Sequence, residues 1–207
     1  MFSQNYEEPF ILGYFKNQAP ASISFLDIGA NDGLTFSNIR QLALNGCKGA
    51  CLEPSPKAYA KLVENMRELP GVSCYNFGIS DVSGEVEFHD SGNWVNSEAP
   101  VSILGSLYED QRRRFFGMEW DVIKCNFITF EEFMNIHGHS KFDFISIDVE
   151  GHDVIVLKQI DLRKVGCQLI CLEHSGNDDT LRAFTEYCGS FGMSEVHRNI
   201  DNVFFSI

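Results

Sequence analysis

The chain has 207 residues, 44% hydrophobic and 13% aromatic, with 16 Lys and Arg against 29 Asp and Glu for a net charge of −13. Those shares fit a globular core and exclude a disordered or collagen-like chain, and the acidic balance argues against a nucleic-acid surface, where clustered Lys and Arg hold phosphates. No run approaches the ~20 apolar residues that span a bilayer, and the length falls between one and two domains of ~150 residues.

In chain order, the opening MFSQNYEEPFILGYF places Glu7 and Glu8 ahead of its apolar residues and has no basic region, a poor secretory signal. Ile23 to Ile28 is an apolar run that predicts a strand, followed by the turn Gly29-Ala30-Asn31-Asp32-Gly33. Thr35 is placed to cap a helix over Phe36 to Leu44, closed by Gly46. Gly49 to Leu52 predicts a second strand ending in Glu53-Pro54-Ser55-Pro56, and Lys57 to Leu69 a helix stopped by Pro70-Gly71. Val72 to Phe77 reads as a third strand and Glu85 to Phe88 as a short hairpin arm. Residues 90–120 break the rhythm and carry the Ser, Gly and Asn content of a lid. Val122 to Ile128 resumes as a strand, Phe130 to Ile136 as a helix, and Phe142 to Ile147 as a buried strand. Asp153 to Ile160 reads as helix, Gln168 to Leu172 as strand, Asp178 to Phe191 as helix, and Met193 to Ser206 as two strands around Asn199-Ile200-Asp201.

Repeated βα units imply one domain built on a mostly parallel sheet with helices on both faces. Ligands of such sheets bind beyond the carboxyl ends of the strands. The seven cysteines fit this frame as buried, reduced thiols of a cytoplasmic protein. Cys47 and Cys51, like Cys167 and Cys171, share a strand face about 13 Å apart, too far for a disulfide.

Four motifs fall at strand ends. The glycine turn after Asp27 ends one strand and opens toward free backbone N–H groups. A dinucleotide fingerprint would place a second glycine where Asn31 stands, so the pattern suits a ligand without a pyrophosphate. Asp27 would face a cationic amine of that ligand. Glu53 ends the next strand, where an acidic side chain accepts from both ribose hydroxyls. Ile145-Ser146-Ile147-Asp148-Val149-Glu150-Gly151-His152-Asp153 and Leu172-Glu173-His174 bring carboxylates and imidazoles to the same rim. Like charges repel unless paired or used, which points to function; Asp153 reads as a cap of the following helix.

FLDIGANDG, the following LEPSP, FDFISIDVEGHDVIVLKQI and the strand ending CLEH resemble the FkbM-type methyltransferases, over about residues 22 to 176. The resemblance implies a Rossmann-like class I methyltransferase fold, with a seven-stranded sheet, an antiparallel C-terminal strand and S-adenosylmethionine as methyl donor. By resemblance, Asp27, Gly29, Ala30, Asn31 and Gly33 surround the methionine part, Glu53 binds the ribose, and Gly78, Ile79, Ser80 and Asp81 border the adenine. His152 stands where the family usually has a small residue, which puts a histidine near the reaction centre or alters the helix start.

The expected activity is methyl transfer to a hydroxyl of a sugar, glycan or related natural product. Positioning supplies much of such a rate enhancement, and neutral His suits proton removal near pH 7. His152 and His174 are the candidate bases, with Asp148 and Glu150 orienting them or binding hydroxyls. Asp148, Glu150 and Glu173 also suit a divalent cation such as Mg²⁺, although the spacing does not demand one. Trp94, Arg112, Arg113, Arg114, Trp120 and Glu173 are the candidate substrate contacts, the arginines suiting an anionic acceptor. A nicotinamide-dependent oxidoreductase is disfavoured by Asn31. A non-catalytic module binding S-adenosylmethionine or another nucleoside is disfavoured by the polar rim.

Overall fold

The structure, a computed structural model, describes residues 1–90, 105–106, 121–138 and 141–207. β1 (Ser24–Ile28) and β2 (Lys48–Leu52) are short and almost wholly buried, and they pair in parallel with Ile28 opposite Leu52. Near-continuous apolar strands of this kind belong in a sheet covered on both faces. β3 (Val72–Tyr75) extends the sheet beyond β2, while β8 (Phe144–Ile147) and β9 (Leu169–Glu173) extend it in parallel on the other side of β1. β11 (Asn202–Ser206) is antiparallel to β9, and β10 (Ser194–Arg198) is antiparallel to β11. The order β10-β11-β9-β8-β1-β2-β3 makes the expected seven-stranded sheet, with its strand order reversing between β1 and β8. That reversal opens a crevice at the carboxyl ends.

Alternation along β1 sends its residues into two cores. Phe25 packs with Ile11 and Phe15 of α1 (Glu7–Phe15), Leu42 of α2 (Arg40–Leu44) and Leu62 of α3 (Pro56–Met66). Leu26 and Ile28 point the other way, toward Phe133 of α4 (Phe130–His137), Val156 of α5 (Asp153–Leu157) and Phe184 of α6 (Asp178–Ser190). Burying each such side chain contributes about 1.5–3 kcal/mol. Among the described residues no helix is long and apolar enough to cross a membrane, and all seven cysteines are free thiols, six of them buried.

Three features differ from the sequence expectation. A second sheet, order β4-β7-β5-β6, sits apart from the first: β4 (Gly78–Ile79), β5 (Gly84–Asp90), β6 (Gly105–Ser106) and β7 (Asp121–Ile128). Helix α1 has no counterpart in the sequence expectation. The helix after β1 begins at Arg40 rather than Phe36, because Asp32 Oδ1 takes the backbone N–H groups of Leu34 (2.9 Å) and Thr35 (2.7 Å) into a turn. Phe36 then lies at φ 57°, outside any helix, and Ser37 Oγ, not Thr35, accepts from the N–H of Arg40 at 3.2 Å.

Candidate active site

The turn after β1 is held from two sides. Backbone N–H groups of Gly29 and Ala30 both donate to the Leu52 carbonyl at 3.0 Å, and Asn65 Nδ2 donates to the Asp32 carbonyl at 2.9 Å. Gly29 is required there: its φ is +89°, and a Cβ would lie 1.8 Å from the Asp148 carbonyl oxygen. The turns after β1 and β8 are therefore in backbone contact, reinforced by the Asp148 N–H donating to the Ile28 carbonyl at 3.0 Å.

Asp27 and Glu53 end adjacent strands, and both are buried. Burial raises each carboxyl to about 7, opposed at Asp27 by a Ser146 hydrogen bond and at Glu53 by the N–H groups of Ser55 and Asn31. Those two N–H groups reach Glu53 at 2.7 and 2.9 Å, so the carboxylate anchors both the glycine turn and the start of α3. Beside Glu53, Ser55 Oγ donates to the buried Asp90 at 2.6 Å. Among the described residues no salt bridge involves Asp27, Glu53, Asp148, Asp153 or the fully buried Glu7. Asn31 Oδ1 is buried with no hydrogen-bond partner among those residues. Buried carboxylates without a cationic partner among the described residues, and an orphan acceptor, are what a ligand carrying cations, hydroxyls and N–H groups would satisfy. The residues fit S-adenosylmethionine on that ground.

Gly78 to Asp81 run from that end toward β8. Asn76 Nδ2 donates to the carbonyls of Glu53 (2.9 Å) and Pro54 (3.1 Å). The Gly78 position is small because a Cβ would lie 2.3 Å from the Phe127 ring, and Ile79 is buried in the core. Ser80 Oγ lies 3.2 Å from Asp81 Oδ1 and 3.1 Å from His152 Nε2. Donation of the Ser80 proton to Asp81 leaves Ser80 accepting from His152 Nε2–H. Burial pushes the His152 imidazole below its usual range, against the pull of Asp81.

Asp148, Glu150 and Glu173 each offer an oxygen, all within 4.8 Å of one another. Burial, then Glu173, Glu150 and Asp153, push the Asp148 carboxyl well above its usual range. The same oxygens form a donor set that a hard divalent cation takes. Asp153 is not the helix cap expected of it: its carboxylate folds back to accept from the N–H groups of Val149 (3.1 Å) and Gly151 (3.0 Å). Burial raises it to about 7.

His174 is 7% exposed and lines a cavity of about 50 Å³ together with Glu173, Asp153 and Gly151. Its Nδ1 accepts from the Gly176 N–H at 3.0 Å, which assigns the ring proton of the neutral tautomer to Nε2. Nε2 is buried without a partner among the described residues.

Two further side chains at this rim carried no signal in the sequence. Asn38 Nδ2 lies 3.3 Å from Ser146 Oγ and 3.7 Å from Cys171 Sγ, and its Oδ1 is buried without a partner among the described residues. Glu7 accepts from Asn199 Nδ2 (2.7 Å), Asn202 Nδ2 (2.9 Å) and the Asn5 N–H (2.7 Å). Cys171, whose thiol burial holds well above its usual range, senses Glu7, Asp148, Asp27 and Glu173 together. All five described non-glycine residues with left-handed backbone, Tyr6, Asn31, Phe36, Glu150 and Ser175, lie in segments at this same rim. Such conformations cost of order 1–3 kcal/mol each and cluster at functional sites. Trp94, Arg112, Arg113, Arg114 and Trp120 lie outside the described residues.

The chain resembles proteins of known name at three levels. It is 30% identical over 138 residues to the 2-O-methyltransferase NoeI of Sinorhizobium fredii, covering 64% of this chain and 55% of that one. It is 28% identical over 181 residues to the hexuronic acid methyltransferase AglP of Haloferax volcanii, covering 86% of this chain and 67% of that one. The chain thus spans between half and two thirds of the curated relatives it matches. In fold it is similar to the methyltransferase FkbM of Methylobacillus flagellatus, with a TM-score of 0.57 and 11% identity over 100% of this chain and 48% of that one. It is also similar to a precorrin-6y C5,15-methyltransferase of Geobacter metallireducens, with a TM-score of 0.51 and 13% identity over 97% of this chain and 87% of that one. These neighbours bear out the class I methyltransferase fold. The family model of the methyltransferase FkbM domain matches residues 27–197, most of the chain, and the protein belongs to that family.

Proposed function

We propose that this protein transfers a methyl group from S-adenosylmethionine to a hydroxyl oxygen of a sugar or glycan. The observation that carries the reading is the pairing at one crevice of the buried carboxylates Asp27 and Glu53 with the oxygen cluster Asp148, Glu150 and Glu173. The names of the two sequence relatives supply the sugar as acceptor class.

S-adenosylmethionine, when bound, supplies an electrophilic sulfonium methyl. Asp27 would face its ammonium group, Glu53 would accept from the ribose hydroxyls with the lone pairs its backbone donors leave open, and Asn31 Oδ1 would accept a further N–H. His152 positions the Ser80–Asp81 segment. At the acceptor end, the Asp148–Glu173 pair would accept the proton of the acceptor hydroxyl. His174 Nε2–H donates to a second acceptor oxygen and fixes the sugar's orientation. The backbone contact between Gly29 and Asp148 sets the distance between the two ends.

The test is transfer of tritium from methyl-labelled S-adenosylmethionine to a panel of neutral and uronic saccharides. Label in a base-stable ether supports an oxygen acceptor. Absence of transfer to any saccharide, with label moving instead to a protein or nucleic acid, overturns the reading. Chelation followed by Mg²⁺ restoration tells whether Asp148, Glu150 and Glu173 hold a cation or a proton.

A further inference from the structure

We infer that Tyr6 and Phe36 form an aromatic platform beside the crevice, on which a pyranose ring of the acceptor stacks. The inference rests on the sugar-methylating reading above and adds residues outside its chemical machinery. Tyr6 is 72% exposed and Phe36 49% exposed. Both are held with left-handed backbone, at φ 66° and 57°, a conformation bulky residues resist. Their exposure is thus a consequence of a specified geometry and not of loose chain.

The two segments are tied to each other and to the site. Ser3 pairs with Phe36 in a parallel β-bridge, and Tyr6 follows Ser3 by three residues, a reach of about 10 Å at most. Asn5 Nδ2 donates to Asp201 Oδ2 at 2.8 Å. The Asp201 carbonyl in turn accepts from the N–H groups of His174 (2.7 Å) and Ser175 (3.1 Å). Phe36 lies on the loop whose Asn38 reaches Ser146, on the strand that ends at Ile147, next to Asp148. Ile200, on the turn between Asn199 and Asp201, is 73% exposed. An aromatic face next to a carboxylate cluster matches the two surfaces of a pyranose. Its C–H face packs on the ring, whose π-cloud is negative, while its equatorial hydroxyls donate to carboxylates. Glu7, clamped by Asn199 and Asn202, holds the Tyr6 segment in place as a positioning residue.

The test pairs ring removal with ring retention. Asn tolerates left-handed backbone, so Tyr6→Asn with Phe36→Asn removes both rings and spares the turns; Tyr6→Trp with Phe36→Trp retains them. The probes are maltotetraose, chitotetraose and a glucuronic-acid-containing disaccharide, read by saturation-transfer NMR in the presence of S-adenosylhomocysteine. Wild type should transfer saturation to pyranose C–H protons. The double Asn variant should lose that transfer and raise KM for a methylated saccharide about tenfold, with kcat nearly kept. The Trp variant should restore both, and calorimetric cofactor affinity should be unchanged throughout. Saturation transfer or KM unaltered by ring removal overturns the platform. So does saccharide binding absent in wild type while Tyr6 and Phe36 bind the chain to neutral phosphatidylcholine vesicles. Since the NMR signal needs no turnover, saccharide binding without methylation would sink the methyl-transfer reading and leave the platform standing.

Discussion

Cofactor affinity is expected to climb steeply with pH through neutrality. Burial raises Asp27 and Glu53 each to about 7, so at pH 6 each is about nine-tenths protonated and at pH 8 about nine-tenths ionised. The sulfonium and ammonium groups of S-adenosylmethionine favour the ionised carboxylates, and the ligand must expel whatever protons they hold. Treating the two titrations as independent, with both required to ionise, gives an affinity about 100-fold higher at pH 8 than at pH 6, or ~2.7 kcal/mol. If a single carboxylate must ionise, the ratio is about tenfold. Titration calorimetry at pH 6, 7 and 8, repeated in phosphate and Tris buffers, separates ligand heat from proton heat. Close to two protons should leave per ligand at pH 6 and almost none at pH 8. Asp27→Asn should cut the pH ratio to about tenfold. Affinity flat within threefold across the range, or proton uptake on binding, would refute the reasoning.

Asp27→Asn should also stabilise the ligand-free protein at pH 8 by roughly 2–4 kcal/mol and hardly at all at pH 4. The folded carboxyl titrates near 7 and the unfolded one near 3.8, so the wild type loses stability between those values as pH rises, and the amide does not; paired melting curves check this. Gly29→Ala should destabilise by at least about 2 kcal/mol in denaturant titration, since φ +89° and the Asp148 carbonyl both oppose a Cβ. Ser55→Ala removes the donor to Asp90 and the α3 cap, and should cost about 1–3 kcal/mol by the same measurement. His174→Ala should raise KM for a saccharide more than it lowers kcat, whereas a general base would show the reverse in steady-state kinetics.

Elements whose apolar residues alternate or run unbroken were legible in the sequence. β1, β2, β8 and β9 and the final hairpin lie within a few residues of where their patterns put them. The carboxylates at their ends were legible for the same reason, because a strand end in a parallel sheet faces the crevice whatever the neighbours do. Helix α1 was not, since Glu7 and Glu8 are buried at its start and its apolar residues fall on no single stripe. Those carboxylates are satisfied by the N–H groups of Phe2 and Asn5 and by Asn199 and Asn202, the last two more than 190 residues away in sequence. The roles of the histidines were equally hidden. The His174 ring is held by one backbone N–H at Gly176, a contact that no residue pattern encodes. Asp32 outcompeted Thr35 because two N–H groups of a tight turn reach a carboxylate sooner than a helix can form.

The fusion of the turns at Gly29 and Asp148 has a consequence for how such a protein can diversify. With peptide groups from both turns in contact, there is no spacer whose length selection could adjust between the two ends of the site in the function proposed above. A bulkier or smaller acceptor cannot be accommodated by moving one turn, since the other would be dragged along with it. Change in what is methylated must therefore come from parts laid around this fixed centre. The N-terminal segment, the loop bearing Phe36 and the Asn199–Asp201 turn all lie at that periphery, where replacements leave the sheet and its two cores intact. The reaction geometry is inherited as a unit, and the recognition surface is free to drift.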